Sequence, residues 1–144
     1  MRHNVGRTAN YFSVLVMVFF LSGGCEKIEE SVIPSVSFSY IIDLNQYPEV
    51  NAGGNSVFIP NLGYGGVLVY CEMPGSFYAW DATCTHEANK SCILENDGVV
   101  ATCPCCGSEY ILLGGGFPSQ GPATQGLRQY YTSLANGILR IYNP

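Results

Sequence analysis

The stretch from Cys84 to Tyr110, CTHEANKSCILENDGVVATCPCCGSEY, constrains this chain more than any other. It holds five of the seven cysteines and, as His86, the only histidine outside the extreme N-terminus. Two boxes stand out: Cys84-Thr85-His86, and Cys103-Pro104-Cys105-Cys106-Gly107-Ser108, with residues 87–102 between them. A C-x-H pair facing a C-x-x-C pair puts two soft or borderline donors on each of two loops, which suits iron–sulfur clusters or zinc. Gly107 lets the second loop turn tightly, and Pro104 stiffens it without adding an N–H.

The rest of the chain predicts an all-β domain. Val36, Phe38 and Tyr40 alternate with serines, a period of two that reads as a strand within 31–42. Ser56 to Ile59 is a short strand between turn-rich segments. Gly66 to Met73 and Ser76 to Asp81 form a hairpin around Pro74-Gly75, and Ile93 to Glu95 and Val99 to Thr102 form another around Asn96-Asp97-Gly98. Tyr110 to Leu113 reads as a strand, and Gly114 to Gly126 as irregular. Gln129 to Leu134 and Ile138 to Tyr142 flank Asn136-Gly137, the strongest hairpin signal in the chain. No segment has a helical period, and there is no internal repeat.

Ahead of this domain, Arg2 and Arg7 precede the uncharged run Tyr11 to Ser22 and then Gly23-Gly24-Cys25. Basic region, short apolar region and small residues are the layout of a secretory signal, and the run is shorter than the roughly 20 residues that span a bilayer. Residues 1–24 are expected to be a signal peptide of the lipoprotein type, with Cys25 as the lipid acceptor; Leu21 lies one position further from the cysteine than in the usual pattern. Residues 25–35 read as an acidic tether and 36–144 as the domain, one core's worth of chain. This places the protein in a bacterial cell envelope, anchored to membrane by lipid. Residues 25–144 carry four basic against eleven acidic side chains, a formal charge of −7, which argues against nucleic acid as a partner. Export to an oxidising compartment makes disulfides plausible.

The ordered motifs C-T-H, C-P-C-x-G-S and Gly121-Pro122-Ala123, followed by Leu127 and Tyr130, resemble the two cluster-binding loops and the proline loop of the Rieske iron–sulfur family, over roughly residues 36–143. The resemblance implies stacked antiparallel sheets and a two-iron, two-sulfur ([2Fe–2S]) cluster. Cys84 and Cys103 then match the ligands of one iron, and His86 that of the other. Cys106 occupies the fourth ligand position, where the family has histidine. It adds negative charge and should lower the potential toward the four-cysteine range. Ser108 and Tyr110 match positions that donate hydrogen bonds to cluster sulfur in high-potential members; Cys105 matches one half of a loop-joining disulfide, and the resemblance implies Cys92 as its partner here, at six positions after His86 where those members have three. Cys71, in an apolar strand, reads as core, with pairing to Cys92 or Cys105 as the alternative.

Three functions fit these residues. The first is an exported electron carrier, or the redox subunit of a larger complex, working with a basic or cytochrome-like protein. The second is a closed structural zinc site made by the same three cysteines and His86. The third is a metal-free surface interaction module. Catalysis by the chain alone is not expected: once His86 is used no histidine remains to build a mononuclear iron site, and a second domain has no room.

Overall fold

The computed structural model describes residues 30–144; the signal-like segment and Cys25 lie outside the described residues. Ser31–Pro144 forms one compact unit. Ten strands follow one another: β1 (Phe38–Asp43), β2 (Asn55–Ile59), β3 (Val67–Met73), β4 (Ser76–Asp81), β5 (Glu95–Asp97), β6 (Val100–Thr102), β7 (Glu109–Ile111), β8 (Phe117–Gln120), β9 (Gln129–Ala135) and β10 (Ile138–Asn143). A 3₁₀ turn, Pro48–Asn51, sits between β1 and β2. Among the described residues, no helix is long and apolar enough to cross a membrane.

Every pairing is antiparallel. One sheet has the order β1-β10-β9-β4-β3-β2 and the other β5-β6-β7-β8, so the all-β expectation with two antiparallel sheets holds. Strand β3 belongs to two cores. Its Leu68 and Tyr70 join Trp80, Leu94, Ala101, Tyr110 and Leu112 between the sheets, whereas Val67, Val69 and Cys71 pack with Ile42, Phe77, Leu139 and Ile141 on the other face. Burial on both faces explains why β3 reads as a continuous apolar run rather than an alternating one. Each such side chain contributes about 1.5–3 kcal/mol on burial. Cys71 is fully buried, in keeping with a core role, and its thiol pKa is raised by that burial.

Four local differences from the sequence expectations have physical causes. The second hairpin turns at Gly98-Val99, with Asn96 and Asp97 inside β5. The Asn96 amide is held by Ser56, donating to its carbonyl at 2.8 Å and its hydroxyl at 3.0 Å, and Gly98 takes the positive φ the turn needs. The segment expected to be irregular contains β8, whose Pro118 is tolerated because β8 is an edge strand. The 3₁₀ turn opens on Pro48, a residue pre-set for a helical start. Finally, the domain begins at 31 rather than 36. Ile33 is fully buried, Arg128 Nη1 donates to the Ile33 carbonyl at 2.8 Å, and Asn143 donates to Ser35 Oγ and the Val36 carbonyl. Residues 31–35 are therefore part of the fold and not of the tether.

Candidate metal centre

The first box lies on the loop from β4 to β5. Ala82 N–H donates to the Gly66 carbonyl, Leu94 N–H to the Ala82 carbonyl and Cys84 N–H to the Cys92 carbonyl at 3.0 Å, so the loop stays pinned on both sides of Cys84. Asp81 anchors its root. This fully buried carboxyl accepts from Tyr64 N–H at 2.7 Å, Gly65 N–H at 3.2 Å, Thr83 N–H at 2.9 Å and the Tyr130 hydroxyl at 2.6 Å. Four donors offset the cost of burying the group. Burial, then the bond to Asp81, raises the Tyr130 hydroxyl above the ordinary tyrosine range.

The second box connects β6 to β7 in one closed turn. Cys103 N–H donates to the Ser108 carbonyl at 2.8 Å and Gly107 N–H to the Cys103 carbonyl at 2.9 Å, with Gly107 at φ +72°. Cys92 and Cys105 are joined as a disulfide with Cα atoms 5.7 Å apart, which ties the two loops to each other.

These constraints bring three of the four candidate ligands together. The sulfurs of Cys84, Cys103 and Cys106 all lie within 4.8 Å of one another, and Cys84 Sγ is 3.6 Å from Cys106 Sγ. Cys84 and Cys103 are buried, while Cys106 is partly open. His86 is exposed two residues after Cys84 and stands outside this trio. Burial pushes the Cys103 thiol up to about 12, helped by its bond with Cys84. Cys106 goes the other way: burial raises it, but bonds from Ser108 and the neighbouring cysteines outweigh that and lower it.

Two hydroxyls face this sulfur group. Ser108 Oγ accepts from Ala123 N–H at 3.1 Å and lies 3.2 Å from Cys106 Sγ, so its own hydrogen is free to point at that sulfur. Tyr110 is fully buried with its hydroxyl 3.5 Å from Cys84 Sγ. It accepts from Thr85 N–H at 3.1 Å and lies 2.9 Å from Thr85 Oγ1, which itself donates to the Gln125 carbonyl at 2.8 Å. Burial, then the contact with Cys84, raises the Tyr110 hydroxyl above its usual range and keeps it a donor. Because Thr85 Oγ1 gives its hydrogen to Gln125, the single Tyr110 hydrogen serves Thr85 Oγ1 while Cys84 is a thiol able to donate; a thiolate at Cys84 has no hydrogen of its own and would compete for the one from Tyr110.

The loop through Gly121, Pro122 and Ala123 closes against the second box. A Cβ on Gly121 would stand 2.6 Å from Ser108 Cα, and Gly121 has φ +83°; Pro122 is exposed at the rim and Ala123 is buried below it. Gly121→Ala is therefore expected to cost about 2 kcal/mol from left-handed strain and a backbone clash. Urea unfolding checks it; a change under about 0.5 kcal/mol would show that the loop yields freely. Thr85, Gln125 and Asp81 escaped the sequence reading as parts of the site. Asp81 left a signal, an acid ending an otherwise uncharged strand.

The donor chemistry fits an iron–sulfur cluster: three clustered thiols, with an imidazole two residues from one of them on the first loop, are the residue types that bind one. No protein-family model matches the chain, and no curated protein matches it by sequence. Solved structures do match. The reduced complex between oxygenase and ferredoxin in carbazole 1,9a-dioxygenase matches with 20% identity and a TM-score of 0.52, over 78% of this chain and 30% of that one. The ferredoxin of carbazole 1,9a-dioxygenase from Nocardioides aromaticivorans IC177 has 17% identity and a TM-score of 0.48, over 74% and 97% of the two chains. Sphingomonas yanoikuyae B1 ferredoxin has 21% and 0.46, over 65% and 89%. At these identities the likeness concerns the fold, and that fold is Rieske-like.

Proposed function

We propose that this Rieske-like domain is an electron-transfer module holding a [2Fe–2S] cluster through Cys84, Cys103, Cys106 and His86. The observation that carries the reading is the pair of hydroxyls at the sulfurs, Tyr110 at Cys84 and Ser108 at Cys106, the latter held by a bond from Ala123 of the third loop. A redox centre uses such donors to stabilise its more negative reduced state. When bound, the cluster would supply a one-electron site. The chain's own residues do the rest. Asp81 and the Cys92–Cys105 bridge fix the loops, and burial of Cys84 and Cys103 keeps water from that side.

The exposed rim, His86, Pro104, Gly107 and Pro122, is the surface on which a redox partner protein would dock. One matched structure is a complex of an oxygenase with its ferredoxin, which supports a protein partner of this kind here. The acidic chain favours a basic one. Lipidation at Cys25 would hold the module at the surface of an envelope membrane.

A second reading is favoured by the thiol spacing. Zinc–sulfur bonds of about 2.3 Å set tetrahedral sulfur–sulfur edges near 3.8 Å, and the 3.6 Å pair within a 4.8 Å trio also suits one such ion.

The test is the ligand role of His86. In the full chain loaded with iron and sulfide, the reduced centre is expected to show nitrogen hyperfine coupling from one histidine, and His86→Cys should remove the coupling while retaining the cluster. A centre without nitrogen coupling in the wild type would rule this ligand set out.

A further inference from the structure

The three thiols have unequal access to solvent. Cys84 and Cys103 are each 0% exposed, and Cys106 alone is partly open, on a turn whose next residue, Gly107, has open space around it. Cys106 is also 3.6 Å from the sulfur of Cys84. A disulfide requires about 2.05 Å, so closing the gap needs roughly 1.5 Å of relative movement of the two sulfurs, a distance within reach of side-chain rotation about χ1. A bonded pair, Cys92–Cys105, already spans the same two loops and keeps them together.

We propose that the metal-free site is a thiol–disulfide switch in which Cys84 and Cys106 close on each other, leave Cys103 as a thiol, and so shut the site to metal. The oxidant is a small-molecule disulfide, RSSR. The Cys106 thiolate attacks one sulfur of RSSR, the R–S–S–R bond breaks, and a Cys106–SR mixed disulfide forms as one thiolate leaves and takes up the proton given up by Cys106. The Cys84 thiolate then attacks Cys106 Sγ and expels the second thiolate, which takes up the Cys84 proton. The protein loses two electrons and two protons, and RSSR becomes two RSH. Access sets the order: a reagent reaches Cys106 first, and Cys84 is the buried sulfur in contact with it. The switch rests on the thiol geometry and holds whether the native metal is iron or zinc. It gives an exported domain a protected state for the interval before metal is loaded, since a disulfide neither binds metal nor proceeds up the sulfur oxidation ladder as a thiolate does.

The experiment uses the full chain, stripped of metal by a chelator and treated with oxidised glutathione. Free thiols are alkylated without reduction, and the chain is cut after Lys and Arg. Cys84 lies in the peptide 28–90 and Cys103, Cys105 and Cys106 lie in 91–128. The expected result is a covalent link between these peptides, traced to Cys84 and Cys106 by fragmentation, with Cys92–Cys105 retained and Cys103 alkylated. Cys106→Ser should abolish the link. Uptake of zinc alone by the linked chain should fall at least tenfold against the unoxidised chain. Alkylation of all three thiols, a link through Cys103 or Cys71, or unchanged zinc uptake by the linked chain would each overturn the proposal.

Discussion

Asp81→Ala is expected to lower the folding free energy by about 3–5 kcal/mol, enough to remove much of the 5–15 kcal/mol typical of a domain this size. The side chain is fully buried and collects donors from three separate segments: Tyr64 and Gly65 before β3, Thr83 after β4, and Tyr130 on β9. Alanine would strand two buried donors, Thr83 N–H and the Tyr130 hydroxyl, and two partly buried ones, Tyr64 and Gly65 N–H; each unpaired group costs about 1–3 kcal/mol, and water reaching the partly buried pair lowers the sum. Asp81→Asn keeps the shape and one acceptor oxygen, so its loss should be smaller. Urea unfolding of both variants at pH 7 measures this. A loss below about 1 kcal/mol for alanine would mean that the loop carrying Cys84 is held by other contacts.

Cys106→His is expected to raise the midpoint potential of the cluster-loaded protein by on the order of 100 mV or more while keeping the cluster. The substitution removes one thiolate charge from the centre. In the two-histidine Rieske arrangement potentials run from about −150 to +300 mV, against about −400 mV in plant-type four-cysteine sites. Cys106 is partly exposed, so the position is open toward solvent for a larger side chain. The substitution also forfeits the Ser108 contact with the Cys106 sulfur at 3.2 Å, which moderates the rise. Redox titration followed by visible absorption reads the shift. An unchanged potential would show that Cys106 does not bind iron.

The hairpins of this fold were legible because local chemistry decides them: Pro74-Gly75 and Asn136-Gly137 sit at the observed turns between β3 and β4 and between β9 and β10. The turn between β5 and β6 shifted because the Asn96 side chain is held by Ser56, forty residues away, a tertiary contact that no local pattern carries. Strand β8 was hidden by Pro118 and its glycine neighbours, and only its place at a sheet edge makes it a strand. In the site, residue type and spacing marked out the cysteines. Exposure did not follow from the sequence: His86 stands outside the trio, and Cys106 lies close to Cys84 across the two loops. The Thr85–Gln125 link between the first box and the third loop was equally invisible, since it depends on a backbone carbonyl that any residue could present.

The most direct test of the proposed redox role is iron, zinc and acid-labile sulfide analysis of the full chain purified without air, with the electron paramagnetic resonance spectrum of the reduced form. About two irons and two sulfides per chain are expected, with a signal between those of Rieske and plant-type centres. One zinc without sulfide would contradict the electron-transfer role and leave a Rieske-like fold held by a structural ion.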